Sequence, residues 1–428
     1  MKNKKETLLI LTILITICII IFNRDKLYEA KYTEPKDTLL AITINGEIST
    51  TFPTTKYYET SVECTTGTGK VEWNGTKWVL TTNGITKGST KCNATFITKV
   101  PTFAETILAN NKVKAPITTP GATISTASEA LLASTEDDYG TSYYFRGAVT
   151  NNYVEFANKC WRIVRVGGDG SVKLILHNDN PTGAANPCDA ANNSASAAFA
   201  HYNGSTYTSR FNENYDDNAY IGFKYGTPGS SKYETTHANT NKSTILTNLE
   251  TWYTNNLKTY ESVIDDTVWC NDKTNVTDTS YDPWSITPNG LGYAKNVTYY
   301  GATKRLVGTS GSAGGTGPSL KCNGELSKIN SKVGLITADE LAFAGYAYNI
   351  GNTTTYLQEN ATNTYWWSLS PDYFDGGIAG VWYVGGSHGR FGDGSVSNAR
   401  GVRPSISLKS TTNATGDGTS SSPYIISM

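Results

Sequence analysis

The stretch 385–389 (Gly-Gly-Ser-His-Gly) matches the G-x-S-x-G pattern that surrounds the nucleophile of many serine hydrolases. In those enzymes the serine stands on a strand-to-helix turn, and the catalytic acid and then the histidine follow it in the chain. Here residues 390–394 (Arg-Phe-Gly-Asp-Gly) do not open a helix, and the only histidine after Ser387 is its neighbour His388. We therefore interpret the motif as part of a glycine-rich turn.

Metal and nucleotide sites have little support in the residue pattern. The four histidines are not at metal-ligand spacing, and the cysteines form no C-x-x-C pair. Gly69-Lys70 does not belong to a phosphate loop, because Cys64 stands where the first glycine is needed and Val71 follows the lysine. Aspartates in glycine-rich turns are common turn residues and do not alone predict a calcium site. The sequence predicts no cofactor and leaves a calcium requirement open.

A ligand-binding surface is the chemistry that residues 366–400 favour, because aromatic and arginine side chains stand there among glycines and serines. We expect five residues of this segment to contact the ligand: Tyr373, Phe374, Tyr383, His388 and Arg390. Other large side chains of the region are expected in the core or as buried braces: Trp366, Trp367, Trp382, Arg400 and Arg403. The segment therefore predicts a binding surface supported by a tryptophan-rich sheet.

The cysteines predict three disulfide bonds. Cys18 lies inside an apolar run, and the six remaining cysteines permit 15 connectivities. The six cysteines fall into three separate segments of the chain, and each segment holds two neighbouring cysteines. We therefore predict the nearest-neighbour pairs Cys64–Cys92, Cys160–Cys188 and Cys270–Cys322. Disulfides persist in oxidising compartments, and this pattern indicates an exported protein.

The N-terminus carries an export signal. Residues 1–7 contain three lysines and precede the uncharged apolar run 8–22, which directs the chain to the translocon. No small-residue cleavage site follows, so we predict an uncleaved single-pass anchor with the bulk of the chain outside the cell. A cleaved signal peptide is the alternative, because 15 apolar residues are short for a membrane span. Residues 23–39 are charged and read as a stalk.

Beyond the stalk, the chain divides into two expected domains. Residues 40–100 alternate in hydrophobicity and contain Asn74-Gly75 between two apolar runs, which predicts a small all-β module with a hairpin. Residues 101–137 hold one short helical candidate, Phe103–Asn110, and then a stretch rich in Thr, Ala, Ser and Pro that we interpret as a linker. Residues 138–428 form the large C-terminal domain.

Two helices and several hairpins are expected in that large domain. Residues 160–166 and 171–176 flank a glycine-rich turn and predict a hairpin. Residues 243–257 place apolar residues at helical spacing behind Ser243 as N-cap. Thr337 and Glu340 form a capping-box pattern that begins a second helix ending at Gly345. The remaining tail consists of short strands and turns, so the fold class is α+β.

The composition excludes some classes of function. The 428 residues carry 36 Lys and Arg against 37 Asp and Glu, so the net charge of −1 argues against a nucleic-acid binder. Only 17% of the residues are charged while 11% are aromatic, and the polarity comes mainly from hydroxyl and amide side chains. Such a composition is typical of a β-rich secreted or cell-surface protein.

A series of motifs from Asp138 onward resembles a family of bacterial surface proteins, common in gut Gram-positive bacteria. Their C-terminal domain is similar to the C-type-lectin-like fold of the formylglycine-generating-enzyme superfamily. The matching segments are 138–147, 152–154, 160–165, 220–226, 252–253, 269–272, 334–345, 366–371, 401–408, 416–419 and 423–424. These motifs extend over about two-thirds of the chain, and their order is more specific than any single one.

The resemblance implies a fold and an open surface rather than a defined activity. Formylglycine-generating enzymes need a cysteine pair in the C-terminal core, but the last cysteine here is Cys322, well before Trp366. The iron-binding members use many histidines, and sugar-binding C-type lectins use Glu-Pro-Asn or Gln-Pro-Asp, neither of which occurs. The fold also hosts variable domains of diversity-generating retroelements, so hypervariability of residues 366–400 stays open.

The sequence thus predicts a membrane-anchored, non-enzymatic protein of the bacterial surface that binds or adheres to an extracellular protein or glycan. Two alternatives remain. One is an oxidoreductase of the formylglycine-generating type, which two thiols or a metal near Trp366 would favour. The other is a structural subunit of a pilus or surface layer.

Overall fold

The structure, a computed structural model, describes residues 38–428, which divide into two units after Pro101. The predicted n-region 1–7, the anchor 8–22, Cys18 and stalk residues 23–37 lie outside the described residues. Over the part of the chain that is described, no helix is long and apolar enough to cross a membrane. The described secondary structure is a mixture of helices and many strands, so the fold is α+β.

The first unit is built from strands over its described residues. They are β1 (Thr38–Ile44), β2 (Glu47–Ser49), β3 (Tyr58–Cys64), β4 (Thr68–Trp73), β5 (Trp78–Asn83) and β6 (Thr90–Thr98). Four of them form a sheet in the order β2-β1-β6-β3, in which β1 runs parallel to β6. The predicted Asn74-Gly75 hairpin is confirmed as β4–β5, with Trp73 opposite Trp78. The Asn74 Oδ1 accepts the backbone N–H of Lys77 at 3.0 Å and so closes the turn.

The second unit, Thr102–Met428, contains the described helices. They are α1 (Phe103–Asn110), α2 (Tyr233–Thr236), α3 (Thr244–Asn256), α4 (Gly301–Leu306) and α5 (Ala338–Ala344). Single 3-10 turns lie at Ala190–Asn192, Asn218–Ile221, Lys258–Tyr260 and Glu325–Ser327. The predicted caps are confirmed: the Ser243 hydroxyl accepts the Leu246 N–H, and Thr337 and Glu340 form a reciprocal capping box.

An eight-stranded sheet forms one part of the second unit. Its strands are β7 (Ala130–Asp137), β8 (Gly140–Gly147), β9 (Tyr153–Phe156), β10 (Lys159–Val166), β11 (Val172–Asn178), β22 (Ser405–Leu408), β23 (Ala414–Thr415) and β24 (Tyr424–Ile426). The strand order is β22-β11-β10-β9-β24-β23, and β8 pairs with both β10 and β7. The predicted hairpin around residues 167–170 is confirmed as the antiparallel pair β10–β11.

A six-stranded sheet carries the segment that the sequence singled out for binding. Its strands are β12 (Thr208–Ser209), β16 (Thr298–Tyr299), β18 (Trp366–Phe374), β19 (Ala379–Val384), β20 (Phe391–Ser395) and β21 (Arg400–Gly401). The order is β12-β21-β18-β19-β20, and β16 also pairs with β18. Two small two-stranded ladders complete the unit: β13 (Lys224–Tyr225) with β14 (Asn241–Lys242), and β15 (Thr267–Cys270) with β17 (Lys328–Ser331).

The three predicted disulfides are present. The Cα–Cα distances are 4.0 Å for Cys64–Cys92, 4.9 Å for Cys160–Cys188 and 5.4 Å for Cys270–Cys322. All lie within the range that a disulfide can bridge or close to it. Each bond joins two residues of one unit.

The prediction that residues 101–137 form a linker has to be corrected. Residues 102–137 belong to the second unit, where Phe103 and Ile107 of α1 are buried in its core and β7 pairs with β8. Phe103 also stacks edge-on against Tyr424 near the end of the chain, with ring centroids 5.2 Å apart. The apolar face of α1 and the strand β7 therefore hold this segment in place, although its composition resembles a flexible linker.

Candidate functional site

The candidate surface is built on the antiparallel strands β18, β19 and β20. Along β19, neighbouring residues point to opposite faces of the sheet, because side chains alternate along a strand. Trp382 and Tyr383 are such neighbours, and they pair across the ladder with Asp393 and Gly392. Trp382 packs on Tyr348 with centroids 5.5 Å apart, whereas Tyr383 packs on Tyr365 at 5.3 Å. The sheet thus separates two groups of aromatic residues.

The first group surrounds the guanidinium of Arg400. Its Cζ lies 3.6 Å from the ring centroid of Tyr383 and 5.0 Å from that of Tyr365. Tyr365 is 54% exposed, while only 7% of Arg400 is exposed. The Nε and Nη1 of Arg400 have no hydrogen-bond partner, and no carboxylate within the described chain forms an ion pair with this arginine. Two tyrosines therefore pack on a cation that has two nitrogens without an internal partner, while Tyr383 and the charge of Asp393 stabilise its charged form.

The second group surrounds two carboxylates. Tyr373 packs against Trp284 with ring centroids 5.2 Å apart, and Trp284 packs against Tyr348 at 5.7 Å. Behind these half-buried rings, burial and the charge of Asp393 raise the pKa of Asp372 far above its ordinary value. Burial also raises the pKa of Asp393. Burial and their mutual repulsion therefore make both carboxyl groups harder to ionise than an exposed aspartate.

The turn between β19 and β20 contains the G-x-S-x-G stretch and lies in a hairpin rather than at a strand-to-helix elbow. The Gly385 N–H donates to the Arg390 carbonyl at 2.7 Å, and Ser387 and His388 are exposed with Oγ and Nδ1 2.8 Å apart. Gly389 has φ +58°, and a Cβ there would lie 2.1 Å from the Asn352 carbonyl oxygen. Only glycine fits this close approach, which sets the positions of His388 and Arg390.

The five residues predicted to bind ligand differ in their exposure and do not form one group. His388 and Arg390 are exposed at the turn, and Tyr373 and Tyr383 are half-buried in different aromatic groups. The prediction that Phe374 contacts the ligand is wrong. Its side chain is fully buried in the core, because it faces inward opposite Ala379. Sequence reasoning missed Tyr365 and Trp284 as surface aromatics, although both flank turns rich in polar residues.

Four of the five residues predicted as core or braces, the three tryptophans and Arg403, are confirmed in that role. Trp366, Trp367 and Trp382 are fully buried. Arg403 is also fully buried, where its Nε donates to the Leu176 carbonyl at 2.7 Å and its Nη1 to the Leu357 carbonyl at 2.5 Å. The tryptophan-rich sheet therefore gives the surface residues a rigid support.

A separate polar cavity of about 50 Å³ lies near Cys270 and Cys322. Most of its charged lining residues pair with one another: Arg165 with Asp137 and Glu340, Lys173 with Glu340, and Arg305 with Asp272 and Asp339. The distances are 2.7 to 3.0 Å, and these groups are largely buried. Since the charges satisfy one another, this cavity is an internal ion-pair network rather than the favoured ligand site.

The described cysteines, histidines and acidic residues form no metal site. Residues 38–428 contain no group of three or more His, Cys, Asp or Glu side chains that could hold a metal ion. All six cysteines of this part of the chain are in disulfides, including Cys322, the last cysteine before Trp366. The thiols near Trp366 that would favour the oxidoreductase alternative do not occur among these residues.

His237 predicts a dependence of stability on pH. Burial and the charge of Lys273 lower its pKa to about 3, so the folded chain keeps the imidazole neutral. In the unfolded chain the ordinary pKa is ~6.5, so acid favours unfolding as the pH falls from ~6.5 toward 3. By pH 5 this group alone costs about 2 kcal/mol. When the pH is lowered from 7 to 5, the free energy of unfolding of wild type should therefore fall by about 2 kcal/mol more than that of His237→Gln.

Urea unfolding of both proteins at the two pH values measures that difference. The other titrating groups are present in both proteins, so the comparison isolates the effect of His237. His388→Gln is the matched control, because His388 is exposed and its replacement should change stability by less than ~0.5 kcal/mol. A difference between His237→Gln and wild type that does not change with pH would contradict the prediction.

Comparison of the chain with protein-family models, with curated proteins and with solved structures finds no match, so the arguments for its function rest on its own residues.

Proposed function

We propose that the protein is a membrane-anchored extracellular binding or adhesion protein. Its C-terminal domain, which we infer to be C-type-lectin-like from the order of sequence motifs, contacts an extracellular protein or glycan. The mixed α+β architecture is compatible with that fold. The three disulfides support an oxidising compartment, and the apolar run 8–22 supports attachment to the bacterial membrane.

The observation that carries this proposal is the group formed by Tyr365, Tyr383 and Arg400. Tyrosine and arginine are the residues that most often dominate binding energy, because they bring large contact area and several hydrogen bonds from rigid groups. The stacking of Arg400 on Tyr383 at 3.6 Å fixes the guanidinium before a ligand arrives, which reduces the entropy lost on binding. The ring of Tyr365 leaves half of its surface open to a partner.

The exposed turn at His388 and Arg390 extends this surface. Both residues follow directly from the hairpin that carries Tyr383, and Gly389 between them is locked by its close approach to Asn352. A ligand that covers Tyr365 and Tyr383 would therefore meet additional polar groups whose backbone is already ordered. We propose Tyr365, Tyr383, His388, Arg390 and Arg400 as the ligand-contacting set.

Binding to a glycan array and to a panel of purified host extracellular-matrix proteins tests the proposal with the full-length protein. Once a ligand is found, Tyr365→Ala is expected to weaken it at least tenfold, since truncation of a central aromatic residue typically costs ~2 kcal/mol or more. Arg400→Lys is expected to weaken it similarly, because lysine keeps the charge but loses the planar stack on Tyr383.

Tyr139→Ala provides the matched control. Tyr139 is 61% exposed, close to the 54% of Tyr365, but it lies in the turn between β7 and β8. The control should bind as the wild type does. Equal loss in all three variants would contradict the proposed site, and filaments of the full-length protein seen by electron microscopy would support the structural-subunit alternative instead.

A further inference from the structure

Several fully buried side chains in the second unit have polar atoms without a hydrogen-bond partner, and four of them lie in one region. These four are His177 (Nδ1 and Nε2), Tyr356 (Oη), Trp366 (Nε1) and Arg403 (Nη2), each no more than 2% exposed. Nearly all buried polar groups in folded proteins have partners, so several orphans in one place need an explanation such as water or an ion. This set is separate from the proposed ligand surface.

The hydrogen bonds of Arg403 place these groups next to one another. Its Nε donates to the carbonyl of Leu176, the residue before His177, and its Nη1 donates to the carbonyl of Leu357, the residue after Tyr356. Its Cζ lies 5.0 Å from the centroid of the Trp366 ring. The guanidinium therefore lies near the three other residues, and its Nη2 has no hydrogen-bond partner.

The local charges do not balance. Arg162 and Arg403 are both fully buried, and both act electrostatically on His177 and Tyr356. The carboxylate of Glu359 pairs with Arg162 and also accepts the Tyr153 hydroxyl. Within residues 38–428 no carboxylate forms an ion pair with Arg403, although burial lowers its pKa only to about 10 and it remains charged at neutral pH. The charge of Glu359 also acts on Arg403, so one carboxylate serves two buried arginines and one positive charge is left in excess.

We propose that a monoatomic anion of the halide type, such as chloride, binds between Arg403, Trp366, Tyr356 and His177. The Nη2, the indole N–H and the phenolic O–H are donors, and a neutral imidazole supplies one more. Buried charges are stable in proteins when they are paired, and an anion supplies the missing partner of Arg403. The enclosure of all four side chains favours a single atom over a polyatomic anion such as sulfate.

Crystals of the full-length protein grown or soaked in sodium bromide give a direct test. An anomalous difference peak for bromide in contact with Arg403 Nη2 and Trp366 Nε1 is the expected result. Electron density for water alone at this position, without an anomalous signal, would overturn the proposal.

Thermal unfolding in sodium chloride and in sodium gluconate at equal ionic strength gives a second test. An anion that binds only the folded chain raises the midpoint with its concentration. Tyr356→Phe removes one donor with little change in volume, so the halide affinity should fall roughly tenfold. The control is Tyr281→Phe, a buried tyrosine whose hydroxyl donates to the Thr303 and Val307 carbonyls.

The control should lose stability equally in both salts and keep the halide dependence of the wild type. A midpoint that is identical in chloride and gluconate for the wild type would overturn the anion site. So would a halide dependence that Tyr356→Phe leaves unchanged, because the hydroxyl would then play no part in binding.

Discussion

Replacement of Glu129 by glutamine is expected to lower the free energy of unfolding of the second unit by about 3–5 kcal/mol. Glu129 and Arg146 are both fully inaccessible to solvent, and their Oε1 and Nε lie 2.9 Å apart. Glutamine keeps the shape of the side chain but removes its charge, so the buried guanidinium of Arg146 loses its counter-charge. Breaking one side of a buried pair is costly because the remaining charge stays desolvated.

The surrounding hydrogen bonds increase the expected effect. The Glu129 Oε1 accepts the backbone N–H of Ile117 at 2.7 Å, and its Oε2 accepts the Thr118 hydroxyl at 2.5 Å. Arg146 donates to the carbonyls of Ala342 and Phe343 at 2.9 and 3.0 Å. The pair thus fastens the segment after α1 to the end of α5. Burial raises the pKa of Glu129, but the Thr118 hydrogen bonds and the Arg146 charge outweigh it and hold the pKa below its ordinary value.

Urea unfolding followed by tryptophan fluorescence measures this change, since seven of the nine tryptophans lie in the second unit. Glu136→Gln is the matched control in the neighbouring strand β7: Glu136 is exposed, and its replacement should change stability by less than ~0.5 kcal/mol. If Glu129→Gln were as stable as this control, the buried pair would not hold the segment in the way proposed.

This ion pair explains why the segment 101–137 could not be recognised as part of the domain. Its residues are small and polar, with no helical or strand period after residue 110, which is the composition of a linker. Besides the apolar face of α1 and the β7–β8 pairing, they are ordered by a buried carboxylate and its partner 17 positions later, together with carbonyls near residue 342. Such long-range contacts leave no local pattern in the sequence.

Local patterns, in contrast, predicted the elements that they directly control. Ser243 and Thr337 begin helices because their hydroxyls satisfy free N–H groups within three residues. The Asn74-Gly75 turn and the β10–β11 hairpin depend on residues adjacent in the chain. The disulfides also join near neighbours, so their pairing could be read from the order of the cysteines.

The candidate site was predictable only in part. The alternation of Trp382 and Tyr383 follows from the strand, and the core position of the first was predicted. The ladder between β18 and β19 has register shifts between Trp367 and Pro371 and between Pro371 and Phe374. Such shifts are not visible in the sequence, so the faces of Tyr373, which is half exposed, and Phe374, which is buried, could not be assigned from it. The packing of Tyr365 and Tyr383 on Arg400 depends on the start of β18, β19 and β21 coming together, and no single segment carries a signal for it.

Removal of either of the two disulfides that close loops of the same length should have opposite outcomes in the two units. Both Cys64–Cys92 and Cys160–Cys188 span 28 residues, so chain entropy assigns each about 3.6 kcal/mol of stabilisation. In the first unit the described buried apolar cluster consists of five residues: Ile42, Val71, Trp78, Ala94 and Phe96. A core of that size supplies no more than about 3–5 kcal/mol, so Cys64→Ala with Cys92→Ala is expected to unfold this unit.

The second unit should tolerate the equivalent change. Its core includes the fully buried Trp161 and Leu176, which lie on the strands beside the Cys160–Cys188 bond, and a much larger set of packed residues. Cys160→Ala with Cys188→Ala is therefore expected to lower the unfolding midpoint while the folded state persists at 25 °C. Alanine avoids the buried hydroxyl that serine would introduce at two positions of 2% exposure or less.

Hydrogen exchange of the two double variants, measured by mass spectrometry on the full-length protein, compares the units within one sample. Loss of protection in β3 and β6 of the first variant, with retained protection of β10 in the second, is expected because the same entropic loss acts on cores of very different size. Protection of β3 and β6 equal to that of wild type would show that five buried residues suffice without the bond. Loss of protection in β10 would show instead that the larger core depends on its disulfide, and the size argument would fail for both units.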